Sequence, residues 1–124
     1  MPLKAPQGPF DLVWFVPPTD PHLLSGHLDW LLARGARRAV YVSSTSVYGG
    51  APGVVGGTTI RCPTTDRGRA RVAEEDVFLE RKGCVVRLPG IYGPGRSILN
   101  RLDGYTLVDA GIKWSARIHR DDVG

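Results

Sequence analysis

A chain of 124 residues, 42% hydrophobic and 23% charged, is long enough for one core and too short for two full domains. No apolar run approaches the roughly 20 residues of a membrane helix, and "MPLKAPQGPF" lacks the apolar centre of a signal peptide, so a cytoplasmic protein without a membrane partner is expected. The net charge is +4, and arginine supplies 13 of the 16 cationic side chains, which favours bidentate contacts with the carboxylate or phosphate of an anionic small molecule. These arginines are scattered, with no aromatic stacking motif, zinc signature or recognition helix beside them, so no nucleic acid partner is expected. Cys62 and Cys84 stand alone, without metal-ligand spacing; they are expected to be buried or half-buried reduced thiols, and no metal site is expected.

The first element is "DLVWFV" (11–16), an unbroken apolar run stopped by Pro17 and Pro18, the pattern of a strand buried on both faces. A helix follows: Asp20 can cap it, Pro21 suits its first turn, Leu24, Leu28 and Leu32 recur every four residues, and Gly35 is a stop. "RAVYVSS" (38–44) predicts a second strand, and the Gly-, Pro- and Thr-rich stretch 49–65 predicts a loop. Asp66 then caps a second helix with Ala70, Ala73 and Val77 on one face, Arg81 and Lys82 in its last turn and Gly83 as its stop. "CVVRLP" (84–89) is a third strand. Beyond Arg96 the pattern loosens into a short helix ("SILNRLDG"), a strand or turn ("YTLVDAG"), an edge strand ("ARIH") and a cap at Asp121 and Asp122.

Strand, helix, strand, helix, strand with short connections implies an α/β fold built on a parallel sheet with flanking helices. Ligands in such sheets bind beyond the carboxyl ends of the strands. Those ends are chemically distinctive here: Pro17-Pro18-Thr19, Ser43-Ser44-Thr45-Ser46 and Pro89-Gly90. The spacing of Gly50, Gly53 and Gly56 imitates a dinucleotide phosphate loop, but "GTTIRCP" follows where a helix should open directly, and "GPGRSI" lacks the last glycine of the other common pattern.

"YVSSTSVYG", then "VVRLPGIYGPGRS", then "RIHRDD" resemble, in order, the extended or atypical short-chain dehydrogenase/reductases, the NAD-dependent epimerase/dehydratase family, over residues 11–123. The resemblance implies a Rossmann-type sheet, an NAD or NADP cofactor, and hydride transfer on a sugar nucleotide or a related hydroxyl or carbonyl compound. It implies that Ser44, four residues before Tyr48, hydrogen-bonds the reacting oxygen; the alternative is a strand-end hydroxyl serving the local backbone. Thr45, Tyr48, Tyr92 and Arg117 would meet substrate, although Tyr48 could equally pack over the sheet end. Pro17, Pro18, Ser43, Arg71, Pro89 and Gly90 would meet the cofactor, with Pro89 near the nicotinamide and Gly90 where many sugar-nucleotide epimerases carry a substrate-binding asparagine.

The family's Tyr-x-x-x-Lys pair falls on Arg67 and Arg71. A guanidinium stays protonated, so Arg67 can orient an anion or polarise a carbonyl but cannot be a general base. One turn apart, the two arginines could clamp a phosphate or carboxylate; the plainer alternative is a solvated basic stripe beside Glu74 and Glu75. The remaining possibilities are catalysis by another tyrosine, Tyr48 or Tyr92, dinucleotide binding without turnover, or an inactive truncated member of the same family. His119 and Asp122 are expected to be structural, the latter a cap. The family opens with a strand and a glycine-rich turn that have no counterpart before Asp11. The expectation is one incomplete NAD(P)-binding domain over 1–124, with 96–124 beginning the substrate region, and exposed apolar sheet edges that favour a homo-oligomer.

Overall fold

The computed structural model describes residues 11–15, 20–97 and 115–123. The expected positions Pro17, Pro18 and Thr19, the helix in "SILNRLDG" and the strand or turn in "YTLVDAG" lie largely or wholly outside them. The chain divides into two compact units, one through Arg87 and one from Leu88.

In the first unit β1 (Leu12–Phe15), β2 (Arg38–Ser44) and β3 (Cys84–Leu88) lie side by side in that order. β1 and β2 run parallel, with Leu12 opposite Arg38 and Trp14 opposite Val40. Helix α1 (Pro21–Ala33) makes the first crossover: the Asp20 side chain accepts from the His22 amide at 2.9 Å, Pro21 occupies the first turn, and Gly35 turns the chain out at φ +87°. Leu24 and Leu28 are fully buried and join Ala39, Tyr41 and Phe78 in the core, with Leu32, Val77 and Val85 packed against them. The Tyr41 and Phe78 rings lie 5.1 Å apart, tilted by 31°.

Several sequence expectations need correction. β1 is not buried on both faces: Leu12 and Trp14 are 44% and 56% exposed, because β1 is the outer strand of the described sheet. Helix α2 (Asp66–Glu80) is capped by Thr65, whose hydroxyl accepts from the Gly68 amide at 3.1 Å; Asp66 is its first residue. Its inner face is not the alanine stripe. Ala70 and Ala73 are exposed, whereas Gly68, Arg71, Glu74, Glu75 and Phe78 are buried. Arg81 caps its end and Lys82 lies beyond it, rather than both closing the last turn. Cys62 and Cys84 are exposed free thiols.

The second unit pairs β4 (Gly90–Tyr92) with β5 (Arg117–His119) in parallel, Gly90 opposite Arg117 and Tyr92 opposite His119. A 3-10 turn, Arg120–Asp122, follows, and its cap is His119, whose Nδ1 accepts from the Asp121 amide at 3.3 Å. Asp121 and Asp122 lie inside the turn instead of capping a further helix.

Candidate functional site

The strand-end hydroxyls sit where the parallel sheet presents them. Ser44 ends β2 in an extended conformation and caps the 3-10 turn Thr45–Tyr48, its Oγ accepting from the Ser46 amide at 3.2 Å. That bond uses an oxygen lone pair and leaves the Ser44 O–H to be donated, the capacity needed to bind a substrate oxygen. Thr45 is half-buried and Ser43 buried.

Tyr48 ends the turn, buried, and its hydroxyl donates to the Gly56 carbonyl at 2.7 Å. Arg87, from β3, hydrogen-bonds the same hydroxyl through Nη1 and lies 5.0 Å from the ring centroid. Nε and Nη2 of Arg87 fork onto Glu75 at 2.9 and 2.7 Å. Arg61, from the 49–65 loop, reaches Glu75 at 3.2 Å and Asp76 at 2.7 Å. Glu75 is 0% exposed, and two guanidinium groups neutralise it. Burial pushes its carboxyl up, but the hydrogen bonds from Arg87 and Arg61, with the Arg87 charge, outweigh that and hold it below its ordinary value. Loop, helix and strand are tied together beneath Tyr48.

A second network lies deeper. Arg71 hydrogen-bonds the Tyr41 hydroxyl at 2.8 Å and pairs with Glu74, to which the Tyr41 hydroxyl donates. Burial and the Glu74 hydrogen bond push the Tyr41 hydroxyl well above the usual tyrosine range, so it remains a proton donor at neutral pH. Arg71 therefore points inward as the counter-charge of Glu74, while Arg67 stays exposed. The two arginines share a helix without forming a clamp, and Glu74 and Glu75 belong to no solvated stripe.

In the second unit, a cavity of about 650 Å³ is lined by Gly90, Tyr92, Arg96, Ser97, Ser115 and Arg117. A Cβ at Gly90 would come within 2.7 Å of Arg117 Nη1 and 3.2 Å of its Cδ, so a side chain there would require the Arg117 side chain to shift. Tyr92 packs edge-on against His119, ring centroids 5.2 Å apart. Two guanidinium groups, two hydroxyls and a phenol around one cavity suit an anion carrying hydroxyls. No group of three or more metal-binding side chains occurs among the described residues.

Sequence reasoning missed Arg61, Tyr41 and Arg87, and one of its two alternatives for Arg67 and Arg71 set Glu74 and Glu75 beside a solvated stripe. The available signal was Phe78: Arg71, Glu74, Glu75 and Phe78 follow helical spacing, and an aromatic on that stripe marks it as the inner face.

No family model matches the chain. It is 38% identical over 99 residues to Protein YeeZ of Escherichia coli K12, spanning 77% of this chain and 36% of YeeZ, so the chain covers about a third of that curated relative. Among solved structures, a protein of Methylobacillus flagellatus assigned as an NAD-dependent epimerase/dehydratase superimposes with a TM-score of 0.69 at 27% identity, covering 85% of this chain and 39% of that one. MoeE5, solved with UDP-glucose and NAD, superimposes with a TM-score of 0.60 at 25% identity, covering 81% and 40%. The fold is thus that of the Rossmann-like, parallel-sheet α/β proteins. These solved neighbours are NAD-dependent epimerase/dehydratase and related proteins, and the chain is similar to them in fold over about two fifths of their length.

The described residues fit a dinucleotide only in part. The glycines at 50, 53 and 56 lie in a loop, and α2 begins only at Asp66, after the cap at Thr65. A pyrophosphate cradle needs a glycine-rich turn opening into a helix N-terminus, and the described residues contain none.

Proposed function

We propose that the chain forms the strand-end and substrate-side part of an NAD(P)-dependent oxidoreductase or epimerase acting on a sugar nucleotide or a related hydroxyl or carbonyl compound. The observation that carries this is the arginine- and hydroxyl-lined cavity of the second unit: Arg96 and Arg117 supply charge for a phosphate, Ser115 and Tyr92 groups for hydroxyls. Ser44 donates to the reacting oxygen, Thr45 and Tyr48 line the substrate side, and Pro89 and Gly90 belong to the nicotinamide end, with Pro17, Pro18 and Ser43 on the cofactor side. The cofactor, when bound, supplies hydride exchange. In this reading 1–124 is a single incomplete NAD(P)-binding domain in which 96–124 opens the substrate region.

A second reading, binding without turnover, has its own support. Arg71 is committed to Glu74 and Tyr41, and neither it nor Arg67 can exchange a proton at neutral pH.

Ligand-detected NMR with UDP-glucose, NADH and NADPH tests the proposal. Saturation transfer to UDP-glucose, lost in Arg117→Ala, is expected. Absence of transfer to all three ligands from a folded chain would overturn it, and transfer without any conversion of UDP-glucose in the presence of cofactor selects the second reading.

A further inference from the structure

The three-stranded sheet has another cavity at its opposite end, where β1, β2 and β3 begin, of about 460 Å³. Leu12 and half-buried Leu32 give it an apolar wall, and Arg37, Arg38, Arg81 and Lys82 give it a cationic one; among the described residues no carboxylate and no aromatic ring lines it. The four cations are not equivalent. Arg81 forks onto Asp29 at 2.6 and 3.1 Å, and Arg37 lies 3.7 Å from Asp11. Arg38 and Lys82 have no carboxylate partner among the described residues.

Lys82 has a further peculiarity. It stands just past the end of α2 at φ +58°, the left-handed conformation that helix ends ordinarily give to glycine, and a glycine follows it at 83. The backbone is strained there by a residue whose cation borders the cavity. Backbone strain of this kind gathers at ligand-binding positions.

We propose that this cavity binds an amphipathic carboxylate, its head group held by Arg38 and Lys82 and its hydrocarbon chain lying along Leu12 and Leu32. Two uncommitted cations beside an apolar wall match a head and tail of opposite polarity. A nucleotide is disfavoured, since among the described residues the cavity has no ring on which a base could stack. The site is distinct from the serine-rich strand ends: it lies where the strands start, and it takes no residue from the proposed substrate pocket.

Calorimetric titration of the chain with decanoate, below its micelle concentration, tests this, with decanol as the neutral control. Decanoate is expected to bind at least tenfold more tightly than decanol, and Arg38→Gln and Lys82→Gly are each expected to weaken it at least tenfold. Lys82→Gly removes the strain with the charge, so its melting temperature should hold or rise, which separates loss of binding from loss of folding. Equal affinity for decanoate and decanol, unchanged affinity in both variants, or no binding at all would overturn the proposal. So would binding of an acidic peptide by a chain that ignores decanoate, since it would make the surface a protein-docking site.

Discussion

Glu75 has two oxygens, no exposure and two arginines, and its removal should be felt throughout the first unit. Glu75→Gln leaves the Arg61 and Arg87 charges beside a neutral amide, and breaking a buried pair from one side costs about 3 kcal/mol; chemical denaturation of variant against wild type measures it. The pH dependence follows with a definite sign. The folded carboxyl is held below its ordinary 4.5, so its stabilisation is present above that value and is lost as pH falls through the lower folded value. Acid melts should show a stability loss below about pH 4.5 in the wild type that is shallower in Glu75→Gln. Tyr48→Phe removes the acceptor of Arg87 and the donor to Gly56, costing about 1–2 kcal/mol. Ser44 and Tyr48 were legible because their order within "YVSSTSVYG" carries the resemblance. The Arg87 partner of Tyr48 was not, because a loop and a helix separate the two in sequence, and pattern alone does not bring them together.

Among the elements, β2 is the most legible: "RAVYVSS" forms a strand over its whole predicted span, since β-branched and aromatic residues run from Arg38 to a terminal hydroxyl pair. Helix α1 shows its caps and leucine face equally plainly. Helix α2 was legible in extent and misleading in orientation. A rule that puts apolar residues inward selects Ala70, Ala73 and Val77, but two buried carboxylates with arginine partners fill the inward side instead. The caps supply two opposed tests. Thr65→Ala removes the acceptor of the Gly68 amide and should destabilise by about 1 kcal/mol. Lys82→Gly relieves a left-handed lysine and should stabilise by about 1 kcal/mol. Both are read as shifts in thermal midpoint.

At the scale of the whole molecule, alternating strands and helices announced a parallel α/β sheet, and the solved structures share that architecture. The boundary after Arg87 was not announced: β4 and β5 are three-residue strands, too short to show a period, paired across a long separation in sequence. What the first unit offers is a hydroxyl-bearing strand end held firm by buried ion pairs, and what the second offers is a cationic cavity bordered by Gly90. The substrate-side role rests on that cavity. Calorimetric titration with UDP-glucose, comparing the wild-type chain with the double variant Arg96→Gln, Arg117→Gln, tests it most directly. Binding by the wild type and at least a tenfold loss in a double variant of unchanged melting temperature is the predicted result; equal affinity in the two, or none in a folded wild-type chain, would contradict it.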